Sequence, residues 1–189
     1  MANKDAAFGL RPIGKVGQNR DNQGLSEYDI SASATAIYFN DPVQILAAGT
    51  IGVVAAGENI LGSLNGVFFT DATTSKPTFA NHLNASNTAT DIKGFVTDDP
   101  YQRYEVQSDN TGASAQTDIG NVADIVYAAG SSPDYVSKVE LDDSDLATSD
   151  GQLKVIGLSR DPDNSDLTAA NVNWIVTINE HFLKQEAGV

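Results

Sequence analysis

The alternation within Val172–Asn179 constrains the fold more than any other stretch of the chain. Val172, Trp174, Val176 and Ile178 fall on one side, and Asn173, Thr177 and Asn179 fall on the other with Ile175. A period of two sends side chains to opposite faces of a strand, so this segment is built to bury one face of a sheet. Gln152–Leu158, Tyr135–Leu141 and Arg103–Gln107 repeat the pattern. Shorter versions occur at Glu27–Ile30, Ala36–Phe39, Val43–Ala47, Thr50–Val54, Asn59–Leu64, Val67–Thr70 and Ile92–Thr97. Gly, Pro, Asn and Asp separate them. About ten short strands joined by turns predict a mainly β protein, a single antiparallel β-barrel or β-sandwich domain with at most one short helix. Only Thr117–Tyr127 carries a helical spacing, with Ile119, Val122, Ala123 and Val126 at i, i+3, i+4 and i+7. Gly120 and the β-branched residues oppose it, which leaves a short helix and an irregular strand both open.

Charge divides the chain unevenly. In the first 20 residues Lys4, Arg11, Lys15 and Arg20 face one acid, Asp5, a net of +3. The other seven basic and 24 acidic residues leave −17 on the remainder and −14 overall. The basic segment is rich in Gly and Ala, with Phe8, Leu10, Ile13 and Val16 as its apolar residues. It reads as an extended N-terminal arm over residues 1–25, followed by a β-rich body over 26–189. The body carries a long polar loop at about 71–91, in which Lys76, Pro77 and Phe79 stand out as anchors. Further polar loops are expected at 108–116 and 159–171. A cationic arm on an anionic body predicts docking onto another macromolecule. Nucleic acid is not the expected partner, because the body has no clustered Lys and Arg to neutralise phosphates. No run of 18 apolar residues exists, so no membrane helix is expected, and Met1–Asp5 does not open a signal peptide.

Tests for chemistry return little. Cysteine is absent, which removes disulfides and thiolate metal sites. The two histidines, His82 and His181, lack zinc-ligand spacing, and no G-x-S-x-G nucleophile elbow is present. His82 is expected at the surface and His181 hydrogen-bonded near the C-terminus. Gly52 and Gly57 have phosphate-loop spacing, but Glu58 and Asn59 follow where Lys and Ser/Thr are needed. Asp161, Asp163 and Ser165 occupy the first, third and fifth places of an EF-hand-like loop. Asp166 and Val172 then stand where Gly and Glu belong. Turns capped by Asp, or a weak calcium site of another type, remain the alternatives. Trp174 lies on an apolar strand face, a core position rather than a sugar platform. An enzyme is not expected, and no catalytic residue, cofactor or metal is assigned.

Several blocks in order resemble a known family. They are Asp5-Ala-Ala-Phe-Gly-Leu-Arg-Pro12, Ile60-Leu-Gly62 with Gly66-Val-Phe68, Lys76-Pro77, and Val96-Thr-Asp-Asp-Pro-Tyr101 running into Tyr104-Glu-Val-Gln107. Asp118-Ile-Gly120, Val139-Glu-Leu-Asp142, Gln152–Leu158, Asp161-Pro-Asp-Asn164 and Ile178-Asn-Glu-His181 follow. Together they resemble capsid decoration (cement, head-stabilising) proteins of tailed bacteriophages, of the marine phage type. The resemblance implies a non-enzymatic virion structural protein on the outer surface of the capsid. Its implied partner is the major capsid protein, and its implied state is a homo-oligomer, trimer or dimer, made in the host cytoplasm. Given that partner, the charge and composition of the arm predict that it docks by adding backbone hydrogen bonds to an exposed strand edge of the coat, with Phe8, Leu10 and Ile13 as apolar anchors, Pro12 among them, and Arg11 and Lys15 pairing with coat carboxylates. The competing expectations are a head–tail joining or tail-tube component, and a carbohydrate-binding module assisted by calcium at Asp161 and Asp163.

Overall fold

The computed structural model describes residues 3–17, 24–109, 114–147 and 149–184. Part of the expected arm (1–2 and 18–23, with Arg20) and of the second polar loop (110–113) lies outside them. Strand makes up 39% and helix 4%, so the mainly β expectation holds. The strands are β1 (Arg11–Lys15), β2 (Ser26–Asp29), β3 (Pro42–Ile45), β4 (Ile51–Val53), β5 (Gly62–Thr70), β6 (Pro77–Ala80) and β7 (Lys93–Thr97). They continue with β8 (Gln102–Gln107), β9 (Val122–Ala123), β10 (Ile125–Val126), β11 (Glu140–Leu141), β12 (Leu153–Leu158) and β13 (Asn173–Ile178).

One sheet has the order β1-β8-β13-β12-β9. A second has the order β2-β7-β5-β3-β4, with β6 added to β5, and β10 pairs with β11 separately. Every pairing between the described strands is antiparallel and no sheet closes into a barrel; the arrangement is consistent with a sandwich-like fold.

Each large sheet has its own apolar cluster. Trp174, Val176 and Ile178 of β13 pack with Tyr104 and Val106 of β8, Leu153 and Val155 of β12, and Val139 and Leu141. The period-two pattern thus does what it predicts: its apolar face is the centre of this core. The second cluster joins Val43, Ile51, Leu64, Val67 and Val96 from the strands to Ile37, Leu83 and Ile92 from the connections. Backbone pairing around Ile60 ties the C-terminal end of the first sheet to the second: Ile60 N–H donates to Glu180 O, and Phe182 N–H to Ile60 O.

Two ambiguous stretches resolve toward strand. Over 117–127 only a 3-10 turn at Gln116–Asp118 is helical, and β9 and β10 follow it. Gly120 has φ +105, and its N–H and that of Val122 are taken by Val155 O and Ala147 O, so the backbone is committed to neighbours rather than to itself. The expected loop 71–91 contains β6, which pairs with β5 so that Phe79 faces Phe68.

Candidate functional site

The N-terminal segment is not free of the body. Asn3 Nδ2 donates to Asp166 O and Ala170 O, both at 2.9 Å. The Gln107 amide brackets the chain, donating to Lys4 O and accepting from Ala6 N–H, again at 2.9 Å. Lys138 Nζ donates to Ala7 O at 3.2 Å, and Asn40 Nδ2 to Phe8 O at 3.1 Å. Leu10 is fully buried in the first core. Gly9 makes this path possible. It has φ +71, and a Cβ there would stand 2.4 Å from Ser137 Cβ and 2.5 Å from Asn40 O, so no larger residue fits between them. Beyond it, β1 pairs with β8 with a bulge between Pro12 and Gly14.

The expected contact residues therefore divide. Leu10 is core, a correction to its reading as a coat anchor. Arg11 pairs with Glu105 across the β1–β8 register and lies over the Phe8 ring at 4.4 Å. Lys15 pairs with Asp99 at 2.6 Å. Both cations are thus engaged within the chain rather than held out for a partner. Composition cannot distinguish an arm from an edge strand, because either needs small residues, few large apolar groups and a charge balance. What remains outward is Ile13, 44% exposed, and its neighbour Val16, 52% exposed. Among the described strands β1 has a neighbour on one side only.

The polar candidates are occupied structurally. His82 stacks on Tyr135 with ring centres 3.8 Å apart, and its Nδ1 lies 2.8 Å from Asn81 Oδ1. His181 is buried, and its Nδ1 accepts the Leu183 N–H at 3.1 Å. Burial, and then the charge of Lys184, pull its pKa down to about 4, so it is neutral at pH 7. Asp161 Oδ1 accepts the Asp163 N–H and Asp166 Oδ1 the Thr168 N–H, both at 3.0 Å, so these acids cap turns. Among the described residues no three His, Cys, Asp or Glu side chains are placed to hold a metal ion. Gly57 has φ +76 in the turn after β4, and Trp174 is buried as expected.

Glu140 is the carboxylate that the fold perturbs most usefully for experiment. Burial, followed by the charges of Asp5, Asp109 and Asp143, raises its pKa from 4.5 to about 7. The folded state therefore holds this proton more tightly than the unfolded chain. The penalty for the charged form is present above pH 7 and fades as pH falls toward 4.5. Glu140→Gln is expected to stabilise the protein by about 1 kcal/mol at pH 8, after allowance for screening of a half-buried group, with the gain vanishing near pH 5. Urea titrations of both proteins at the two pH values check the sign.

A feature that the sequence marks only weakly lies on the outer face of the second sheet. Pairing places Phe68 opposite Phe79, and Gly66 opposite Phe95, on one face. Phe79 is tilted against Phe68 with centres 4.8 Å apart and lies 6.1 Å from Phe95. Expected as an anchor, Phe79 is instead 74% exposed. It walls a groove of about 510 Å³ with Leu25, Val67, Ala80 and Phe95, floored by Gly66. The opposite margin of this face is charged, where Lys93 pairs with Asp29 at 2.6 Å and Glu27 at 3.4 Å. The available signal was the run 59–90, which contains only Asp71 and Lys76 as charged residues.

No family model matches the chain, and no curated protein or solved structure is significantly similar to it.

Proposed function

We propose that this chain is a virion structural protein of a tailed bacteriophage that binds the outer surface of the major-capsid-protein shell as a decoration protein. The observation that carries the reading is the outward pair Ile13 and Val16 at the unpartnered margin of the first sheet, on a chain whose net charge is −14. Exposed apolar side chains beside an open strand edge are a surface for another protein. The mode differs from strand donation by a loose arm. Pro12 offers no N–H, and the bulge between Pro12 and Gly14 interrupts the ladder, so β1 is a poor template for a further strand. Side-chain burial then supplies most of the binding energy, and Arg11 and Lys15 serve to hold β1 on its own body. Many identical sites on a shell compensate for modest affinity at each, provided that the protein binds through more than one copy. The calcium-assisted carbohydrate reading gains nothing from the loop at Asp161, whose oxygens cap a turn.

Co-sedimentation with expanded empty heads of the encoding phage that lack the protein tests the reading. Wild-type protein is expected to bind saturably. The double variant Ile13→Asp, Val16→Asp is expected to bind at least about tenfold more weakly with an unchanged melting curve, because both side chains already face water. Absence of wild-type binding overturns the decoration role. Equal binding by the double variant moves the contact elsewhere on the body.

A further inference from the structure

We propose that the open edge of β6, with the phenylalanine ridge beside it, is a twofold contact with a second copy of this chain. The inference stands on the geometry of the second sheet and does not require the virion reading.

Three observations converge on a second copy as the occupant. β6 pairs with β5 alone among the described strands, so its other edge carries backbone N–H and C=O groups without a strand partner. Edge strands are usually guarded against association by charge, bulges or proline. Here Lys76 and Pro77 guard only the start, and Thr78, Phe79, Ala80 and Asn81 are uncharged. The middle of the strand presents Phe79, whose ring is mostly in water although two aromatic neighbours lie within 6.1 Å.

Electrostatics then selects the partner. Residues 59–90 carry one acid and one base, while the rest of the chain carries the whole net charge of −14. Two such bodies repel unless they meet where charge is absent, and the ridge is that place. A cationic partner is drawn to the acidic faces and gains nothing from a neutral one. A like-charged partner, another copy, gains most there.

Symmetry completes the case. Antiparallel pairing of a strand with itself about a twofold axis makes the same patch serve both sides, which is the self-complementary arrangement of closed dimers. With the axis near Phe79, the two Phe79 rings come together on one face of a sheet that continues from copy to copy, at the close spacing of cross-strand neighbours. Each ring then shields the other where the monomer leaves it wet.

The test uses the isolated full-length chain without shells. Sedimentation equilibrium of the wild type at micromolar concentrations is expected to give twice the 19.9 kDa chain mass. Phe79→Asp places two carboxylates at the axis and is expected to raise the dimer dissociation constant at least thirtyfold. Its circular dichroism spectrum should match the wild type, since Phe79 is not core, and its melting curve should match at protein concentrations low enough to dissociate the wild-type dimer. Because the chain has no cysteine, Phe79→Cys gives an independent reading. Mild oxidation is expected to convert it to a disulfide-linked dimer, while Leu46→Cys, exposed on another hairpin, forms no disulfide-linked dimer under the same conditions. A wild type that remains monomeric, or a Phe79→Asp variant that still dimerises, overturns the proposal. A monomeric wild type whose binding to heads is abolished by Phe79→Asp also overturns it and assigns the ridge to the shell. Failure of head binding alone leaves the dimer intact, so the two readings fail separately.

Discussion

Deletion of residues 1–15 is expected to unfold the protein or bring it to the edge of unfolding, rather than yield an intact body without an arm. Leu10 sits in the first core with no exposure, and removing a buried leucine side chain alone costs about 2–5 kcal/mol. The deletion also strips the Gln107 amide of its two partners in the segment and the Asn40 amide of Phe8 O. Glu105, 6% exposed, loses the Arg11 guanidinium and, among the described residues, is left with the Ser159 hydroxyl at its other oxygen. Each buried polar group left without a partner costs about 1–3 kcal/mol. The sum, about 5 kcal/mol or more, is comparable to the whole stability of a typical domain. Equilibrium unfolding in urea, followed by circular dichroism, measures it, with Leu10→Ala as the milder companion at about 3 kcal/mol. A truncated protein of wild-type stability would show that the segment is dispensable for folding. For the same reason, removal of residues 1–20 is a poor probe of shell binding, because it confounds docking with unfolding.

Trp174→Ala is expected to cost about 4 kcal/mol, the range for emptying a large aromatic site in a packed core. Trp174 is wholly buried near the start of β13, with Val106 of β8 across the register on one side and Leu158 of β12 on the other. Trp174→Phe should cost far less, about 1 kcal/mol. The indole N–H has no hydrogen-bond partner among the described residues, so its removal relieves an unsatisfied donor while most of the ring volume is kept. Thermal unfolding monitored by circular dichroism compares the two variants. Equal losses would mean that the N–H, not the volume, is what the core requires. As the sole tryptophan, Trp174 also makes wild-type fluorescence a direct report on this core.

The parts of the fold that could be read in advance are those where one residue's neighbours in sequence carry the information. Val172 to Ile178 shows every second residue apolar, and that suffices to place a buried strand and to assign Trp174 to the core. The Gly and Asp punctuation likewise marks turns, and Asp161 and Asp166 cap them as turn chemistry predicts. The stretch 117–127 was ambiguous because Ile119, Val122, Ala123 and Val126 satisfy a helical spacing by position alone. Pairing of β9 with β12 decides between the two, and no local window contains that pairing.

The sequence by itself determined that this chain is mainly β, with a basic N-terminal segment, an acidic remainder and a central tryptophan strand, because periodicity and charge are local properties. Only the tertiary structure decided where the segment goes. Arg11 meets Glu105 from 94 positions away, and the slot for Leu10 exists only once β8 and β13 are paired. It likewise decided that Phe79 stands in water beside Phe68 rather than beneath the sheet, since a register shift of one residue would have reversed the two faces.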